Sequence, residues 1–141
     1  MEVDFSYSLA KGGAGLPALL DAVEEALADR GVPMAIASSI LIAADEVVSN
    51  ALNYGGETAE VEVAGRVADG QVTLRVRDDG AAFDPLAAAA PDTTLSIEDR
   101  DIGGLGIHLV RKLMDSVHYE RAGKHNCLQF SKSYAAPSES R

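Results

Sequence analysis

The sequence has no tryptophan, and aromatic residues make up only 5% of its 141 positions. A core must therefore be assembled from Ala, Val, Leu and Ile, which is feasible because 47% of the residues are hydrophobic. One cysteine excludes a disulfide framework and any multi-cysteine metal site. Basic residues are scarce. Lys and Arg total 12 against 22 Asp and Glu, giving a net charge of −10 and a pI near 4.6. That balance argues against nonspecific binding to nucleic acid or to anionic membranes, both of which need a basic face. No uninterrupted apolar run approaches the ~20 residues of a membrane span. The N-terminal MEVDFSYSLA is acidic and alternating, unlike a secretion signal. These absences leave one soluble domain, expected in the bacterial cytoplasm, contacting neither membrane nor nucleic acid directly.

What is present is strongly patterned. Val3, Phe5, Tyr7 and Leu9 alternate with polar residues and predict a half-buried strand. Leu16, Leu19, Leu20, Val23 and Leu27 form a helical stripe, with Asp21, Glu24, Glu25 and Asp29 on the other face and Gly31 as its stop. A second helix opens near Pro33, is nearly all apolar or small from Ile36 to Ala44, and runs to about Asn53 before Gly55-Gly56. Strands are predicted at Glu60–Val67 and Gln71–Arg77, joined by an Asp69-Gly70 hairpin turn. Residues from Asp84 to about Gly103 look irregular, and a stretch of that length in a small domain is usually functional, often a lid. A third helix from Leu105 to Met114 and a closing hairpin, Val117–Arg121 with Asn126–Ser131, complete a domain over 1–134. The last seven residues, 135–141, are small and polar and read as a frayed tail. Cys127 is expected to be a small core hydrophobe.

Three clusters can carry chemistry. On the second helix Glu46 and Asn50 are four apart and share a face, with Asn53 near it. Alone, this is equally a solvated helix edge with Asn53 capping the end. After the second hairpin strand comes Asp78-Asp79-Gly80-Ala81-Ala82. A carboxylate there can accept from an amine while small residues let backbone approach a ligand, though Asp-Gly turns are common. Gly103-Gly104-Leu105-Gly106 enters the third helix, where free N–H groups and the dipole favour phosphate. It is not a Walker loop, and no βαβ unit surrounds it.

In this order, along Asp45–Gly55, Val76–Pro85 and the run from Gly103 to Asp115, the clusters resemble the GHKL ATPase superfamily. The likeness is greatest to the anti-sigma factor serine/threonine-protein kinases, and it covers nearly the whole chain. It implies an α+β fold: a two-layer α/β sandwich with helices on one face of a mixed, mainly antiparallel sheet. It also implies ATP and Mg²⁺ as cofactors. By the same resemblance Glu46 is the general base and Asn50 the Mg²⁺ ligand. Asp78 accepts from the adenine amine, beside Gly80. Gly103, Gly104, Leu105 and Gly106 meet the phosphates. Asn53 and Ala82 belong to the same site but depart from the pattern. Relatives often have His or Lys where Asn53 stands, and a second glycine where Ala82 stands. Arg100 is the one basic residue between Asp84 and Gly106 and is the lid candidate for a γ-phosphate contact, or else pairs with Glu98 or Asp99.

The implied function is an anti-sigma factor that phosphorylates an anti-anti-sigma STAS-domain partner and sequesters a sigma factor, with a homodimer possible through the first strand. The alternative is a non-catalytic, nucleotide-gated binding module. Asn53 and Ala82 motivate it.

Overall fold

The alternating N-terminal segment forms strand β1, Phe5–Leu9. Helix α1, Leu16–Asp29, follows with Pro17 in its first turn, where a missing N–H costs nothing. Gly31 closes it at φ +75°: its N–H donates to Ala28 O, and the Val32 N–H donates to Leu27 O. Only a residue at ease with positive φ makes this double closure without strain. Helix α2 spans Met34–Tyr54. The hairpin of β2, Val61–Ala68, and β3, Gln71–Asp78, turns through Asp69 and Gly70 at φ 55° and 72°, the positive pair that matches strand twist. Helix α3, Ile102–Leu113, leads to β4, Ser116–Ala122, and β5, His125–Ser133. This computed structural model describes residues 2–9, 15–54, 60–82, 84, 86 and 102–134, with backbone alone at 53, 54 and 102–106. The expected tail at 135–141 lies outside the described residues.

The five strands are ordered β1-β2-β3-β5-β4. All four described ladders are antiparallel, where a mixed sheet was expected. β4 does run in the direction of β3, but β5 lies between them, so the crossover makes no parallel ladder. The two-layer sandwich is the expected one. α2 packs across β2, β3 and β5, α1 against β1, and α3 against β4.

Strand alternation separates two faces. Val61, Val63, Val72, Leu74, Val76, Leu128 and Phe130 point inward and are buried against Ile40, Ala43, Val47 and Val48 of α2 and Val23 and Leu27 of α1. With no indole available, Phe130 is the largest side chain fully enclosed. Phe5 reaches the core by lying over Gly65, where an added Cβ would meet its ring at 2.1 Å. The Arg30 guanidinium sits 5.2 Å from that ring's centroid and donates to Asp4 O and Ala26 O, tying α1 to β1. Tyr7 is half-buried beside Phe5, which lies in the core.

Two expectations change here. Cys127 is half-buried on the face of the sheet turned away from the helices, in register with Arg77 and Glu120, because it alternates with the inward Asn126 and Leu128. The stretch Met34–Leu52 is long and apolar enough to cross a membrane by length and composition. Counting only uninterrupted apolar residues missed it, since Ser38, Ser39, Asp45, Glu46, Ser49 and Asn50 break the run. In the fold, nearly half of this stretch is buried inside the protein.

Candidate functional site

Asp78 is the last residue of β3, not the first of the turn after it. The period of two carries it inward behind Val72, Leu74 and Val76, and it is only 6% exposed. Burying a carboxylate demands donors, and two are provided. The Gly80 N–H reaches Asp78 Oδ1 at 2.9 Å, and Asn126 Nδ2 reaches the same oxygen at 3.0 Å. Register places Asn126 directly opposite Asp78 across the β3–β5 ladder. Asn126 Nδ2 also donates to Ala81 O at 2.8 Å, and its Oδ1 accepts from the Tyr119 hydroxyl. Arg121 donates to Gly80 O at 2.8 Å. The backbone beyond β3 is thereby fixed to the β4–β5 hairpin.

Across from this network α2 presents Asn50, 6% exposed, with Val47 and Ala51. Together with Val76, Leu128, Tyr119 and Asn126 they line a narrow cleft of about 20 Å³. That space takes the edge of a base or one water, not a whole ring system. Asn50 Nδ2 is buried and has no hydrogen-bond partner among the described residues. An orphaned buried amide costs about 1–3 kcal/mol, which a bound ligand is positioned to relieve. Its carboxamide oxygen is the hard donor that Mg²⁺ accepts. The residues present thus fit a nucleotide on two counts, an orphaned N–H donor on α2 that suits a ligand oxygen and a preset acceptor on β3, while the Asn50 carboxamide oxygen suits Mg²⁺.

Glu46 lies one turn before Asn50, about 6 Å along the axis, and is half-buried. Burial pushes its carboxyl above the ordinary value, and the adjacent Asp45 charge adds to the shift. Asp45 itself is exposed and accepts from Ser49 Oγ at 3.3 Å. A carboxylate so raised is a better proton acceptor than a free one.

The glycine run takes a different place from the one expected. Helix α3 begins at Ile102 rather than Leu105, so Gly103 and Gly104 join Leu105 and Gly106 in its first turn and a half. The consequence is useful chemically. The first four N–H groups of a helix, counted from the residue before it, have no partner within it, and Gly103 and Gly104 supply two of them. Ala82 is exposed at the end of the Asp78 loop. Beyond it, Asp84 Oδ1 accepts from the Leu86 N–H, and Arg111 of α3 donates to Leu86 O at 2.8 Å. The Asn53 side chain and Arg100 lie outside the described residues. The structure therefore brings Asn50 and Asp78 together at the cleft, with Gly80 bonded to Asp78 behind it and Glu46 one turn away.

Sequence reasoning missed Asn126, Tyr119 and Arg121. One signal was available for Asn126: it shares the parity of Leu128 and Phe130, so a polar group was already due inward. Its partner was not readable, because the register between β3 and β5 is set by contacts distant in sequence.

Against known proteins, residues 13–132 match a family model described as a histidine kinase-like ATPase domain. The chain is 31% identical over 102 residues to the serine/threonine-protein kinase BtrW of Bordetella bronchiseptica, covering 70% of this chain and 71% of that protein. Among solved structures it is similar to the nucleotide-free catalytic domain of the histidine kinase ThkA. The TM-score is 0.53 at 14% identity, over 94% of this chain and 97% of that one. At that identity the structural likeness speaks for the fold alone.

Proposed function

We propose a function from one premise: this chain belongs to the histidine kinase-like ATPase domain family. It is an Mg²⁺- and ATP-dependent serine/threonine-protein kinase of the cytoplasm. It phosphorylates an anti-anti-sigma STAS-domain partner and sequesters a sigma factor. The observation that carries the nucleotide part is the pairing of buried Asp78, held by two donors, with buried Asn50 across one cleft. The kinase part is supported by Glu46 one turn from Asn50 and by the likeness to a protein named as a serine/threonine kinase.

Each residue has a role. Asp78 accepts the hydrogen bond of the adenine amine. Asn50 offers its oxygen to Mg²⁺, which neutralises phosphate charge when bound. The N–H groups at the start of α3 receive phosphate oxygens. Glu46 takes the proton of the partner's serine hydroxyl as its oxygen bonds to the γ-phosphorus and the bond to the β-phosphate oxygen breaks, releasing ADP. Such transfer needs mainly positioning and charge neutralisation. The net charge of −10 suits a partner with a basic surface. Homodimerisation is part of the proposal, with the edge strand β1 as its surface.

Incubating the protein with labelled ATP, Mg²⁺ and its STAS partner should label the partner, and Glu46→Ala should abolish labelling while ATP still binds. Undiminished transfer by that variant would refute the general-base role. A second reading, a non-catalytic nucleotide-gated module, is favoured by Asn53 and Ala82 in place of a basic residue and a glycine. It predicts ATP binding, lost in Asp78→Asn, and no transfer.

A further inference from the structure

We propose that Asn126, locked by Tyr119, is a positioning residue that makes Asp78 select a 6-amino over a 6-oxo purine. The inference rests on the nucleotide reading above and adds to it a residue that does not itself bear on the reacting groups.

A carboxylate that reads an amine has to present an oxygen free to accept and has to stay in one orientation. Asp78 Oδ1 is occupied by the Gly80 N–H and by Asn126 Nδ2, which leaves Oδ2 as the oxygen available to a base. The second Asn126 N–H hydrogen goes to Ala81 O, and its Oδ1 accepts from the Tyr119 hydroxyl. This fixes the amide's sense. Turned over, its oxygen would oppose both Asp78 Oδ1 and Ala81 O, two acceptors that cannot donate. Asn126 is 5% exposed and Asp78 6%, so water does not readily replace the lost bonds. The tyrosine thus sets the amide, the amide sets the carboxylate, and the carboxylate meets the base. A 6-oxo purine offers an acceptor where Asp78 requires a donor, and two acceptors facing each other in a buried cleft repel.

Two isosteric variants test this, with ATP and ITP as probes. Binding of each is measured by calorimetry beside the melting temperature of the free protein. In Asn126→Asp an oxygen replaces the donor nitrogen. Two carboxyls then face each other and share a proton, so Asp78 is no longer a fixed acceptor. We expect the wild type to prefer ATP over ITP by about tenfold or more, the difference made by one hydrogen bond to a charged group. Asn126→Asp should weaken ATP by about tenfold and ITP far less, collapsing the ratio. Tyr119→Phe, which keeps the ring and removes one of the bonds that hold the amide, should lower the same ratio by about threefold. Equal weakening of ATP and ITP with a falling melting temperature means a merely structural role and overturns the inference. So does a wild-type ratio that survives Asn126→Asp. A wild-type chain that binds neither nucleotide overturns the nucleotide reading and this inference with it.

Discussion

Replacing Asp78 by Asn changes one atom and keeps the shape of the most constrained side chain in the site. The new carboxamide can still turn its oxygen toward the Gly80 N–H and Asn126 Nδ2, the two donors now 2.9 and 3.0 Å from Oδ1. Its nitrogen then occupies the place of Oδ2, so a donor faces the exocyclic amine of adenine. A hydrogen bond to a charged acceptor, worth about 1.5–3 kcal/mol, is lost, and a buried donor pair is left unsatisfied at about 1–3 kcal/mol. The two terms overlap in one atom pair, so the net is about 3–4 kcal/mol, or ~100–1000-fold in Kd. The fold should hold, because both intramolecular bonds to position 78 survive. Thermal shift reads both halves at once. With ATP at 100 times the wild-type Kd, the wild type gains about 2.7 kcal/mol of apparent stability, and Asp78→Asn gains almost none. Without ATP the two should melt together. ATP binding by Asp78→Asn within about threefold of wild type would refute the assignment of the base to Asp78. A large loss of stability in the absence of ligand would refute the claim that the carboxylate's intramolecular bonds are replaceable.

Other consequences follow from charge and packing. The raised Glu46 carboxyl means the folded protein holds that proton more tightly than the unfolded chain does. Its contribution to stability is therefore full at low pH and is lost as pH rises from the ordinary carboxylate range through the folded value. Glu46→Gln should flatten that part of a melting-temperature profile, and the acid limb of phosphotransfer in the wild type should lie above that of a free glutamate. Gly65→Ala forces the Phe5 ring from its seat, since the new Cβ lies 2.1 Å from Cζ. Overpacking of this kind costs about 1–3 kcal/mol, or roughly 3–5 °C of melting temperature per kcal/mol at this size. Phe5→Leu in the same chain should recover part of it, and an unchanged melting point for Gly65→Ala alone would contradict the packing.

Much of the architecture was legible because local chemistry and tertiary packing agree. Gly31 stops α1 where its φ of +75° requires a glycine, and Asp69-Gly70 turns where both φ values are positive. The inward sets Val72, Leu74, Val76 and Leu128, Phe130 follow from alternation alone. The misplacements have physical causes. Asp-Asp-Gly is turn chemistry and ends the expected strand at Arg77; only the ladder to Asn126 shows that Asp78 completes β3. Two glycines in a row delay the expected start of the third helix to Leu105, because glycine is a poor helix former, yet α3 begins at Ile102. At the site, Glu46, Asn50 and Asp78 stood out by residue type and by family resemblance. Parity alone pointed Asn126 inward, but its pairing with Asp78 emerged only when the sheet brought together positions 48 residues apart in sequence.

The same alternation that built the core gives this sheet an arithmetic of insertion. Asp78 and Asn126 occupy inward positions on β3 and β5, and Arg75, Arg77, Cys127 and Gln129 occupy the outward ones between. One extra residue within β3 would exchange the two sets, turning Arg77 into the core and Asp78 out to solvent. Two extra residues would restore parity but carry the carboxylate past Asn126. The Asp69-Gly70 turn guards against both. It has no slack, and the Tyr134 N–H bonds to Gly70 O beside it. Length variation in relatives that keep this site is therefore expected in connections other than this turn, while substitutions accumulate on the outward positions. The face of the sheet turned away from the helices can in this way change what it displays without disturbing Asp78 and Asn126 on the other.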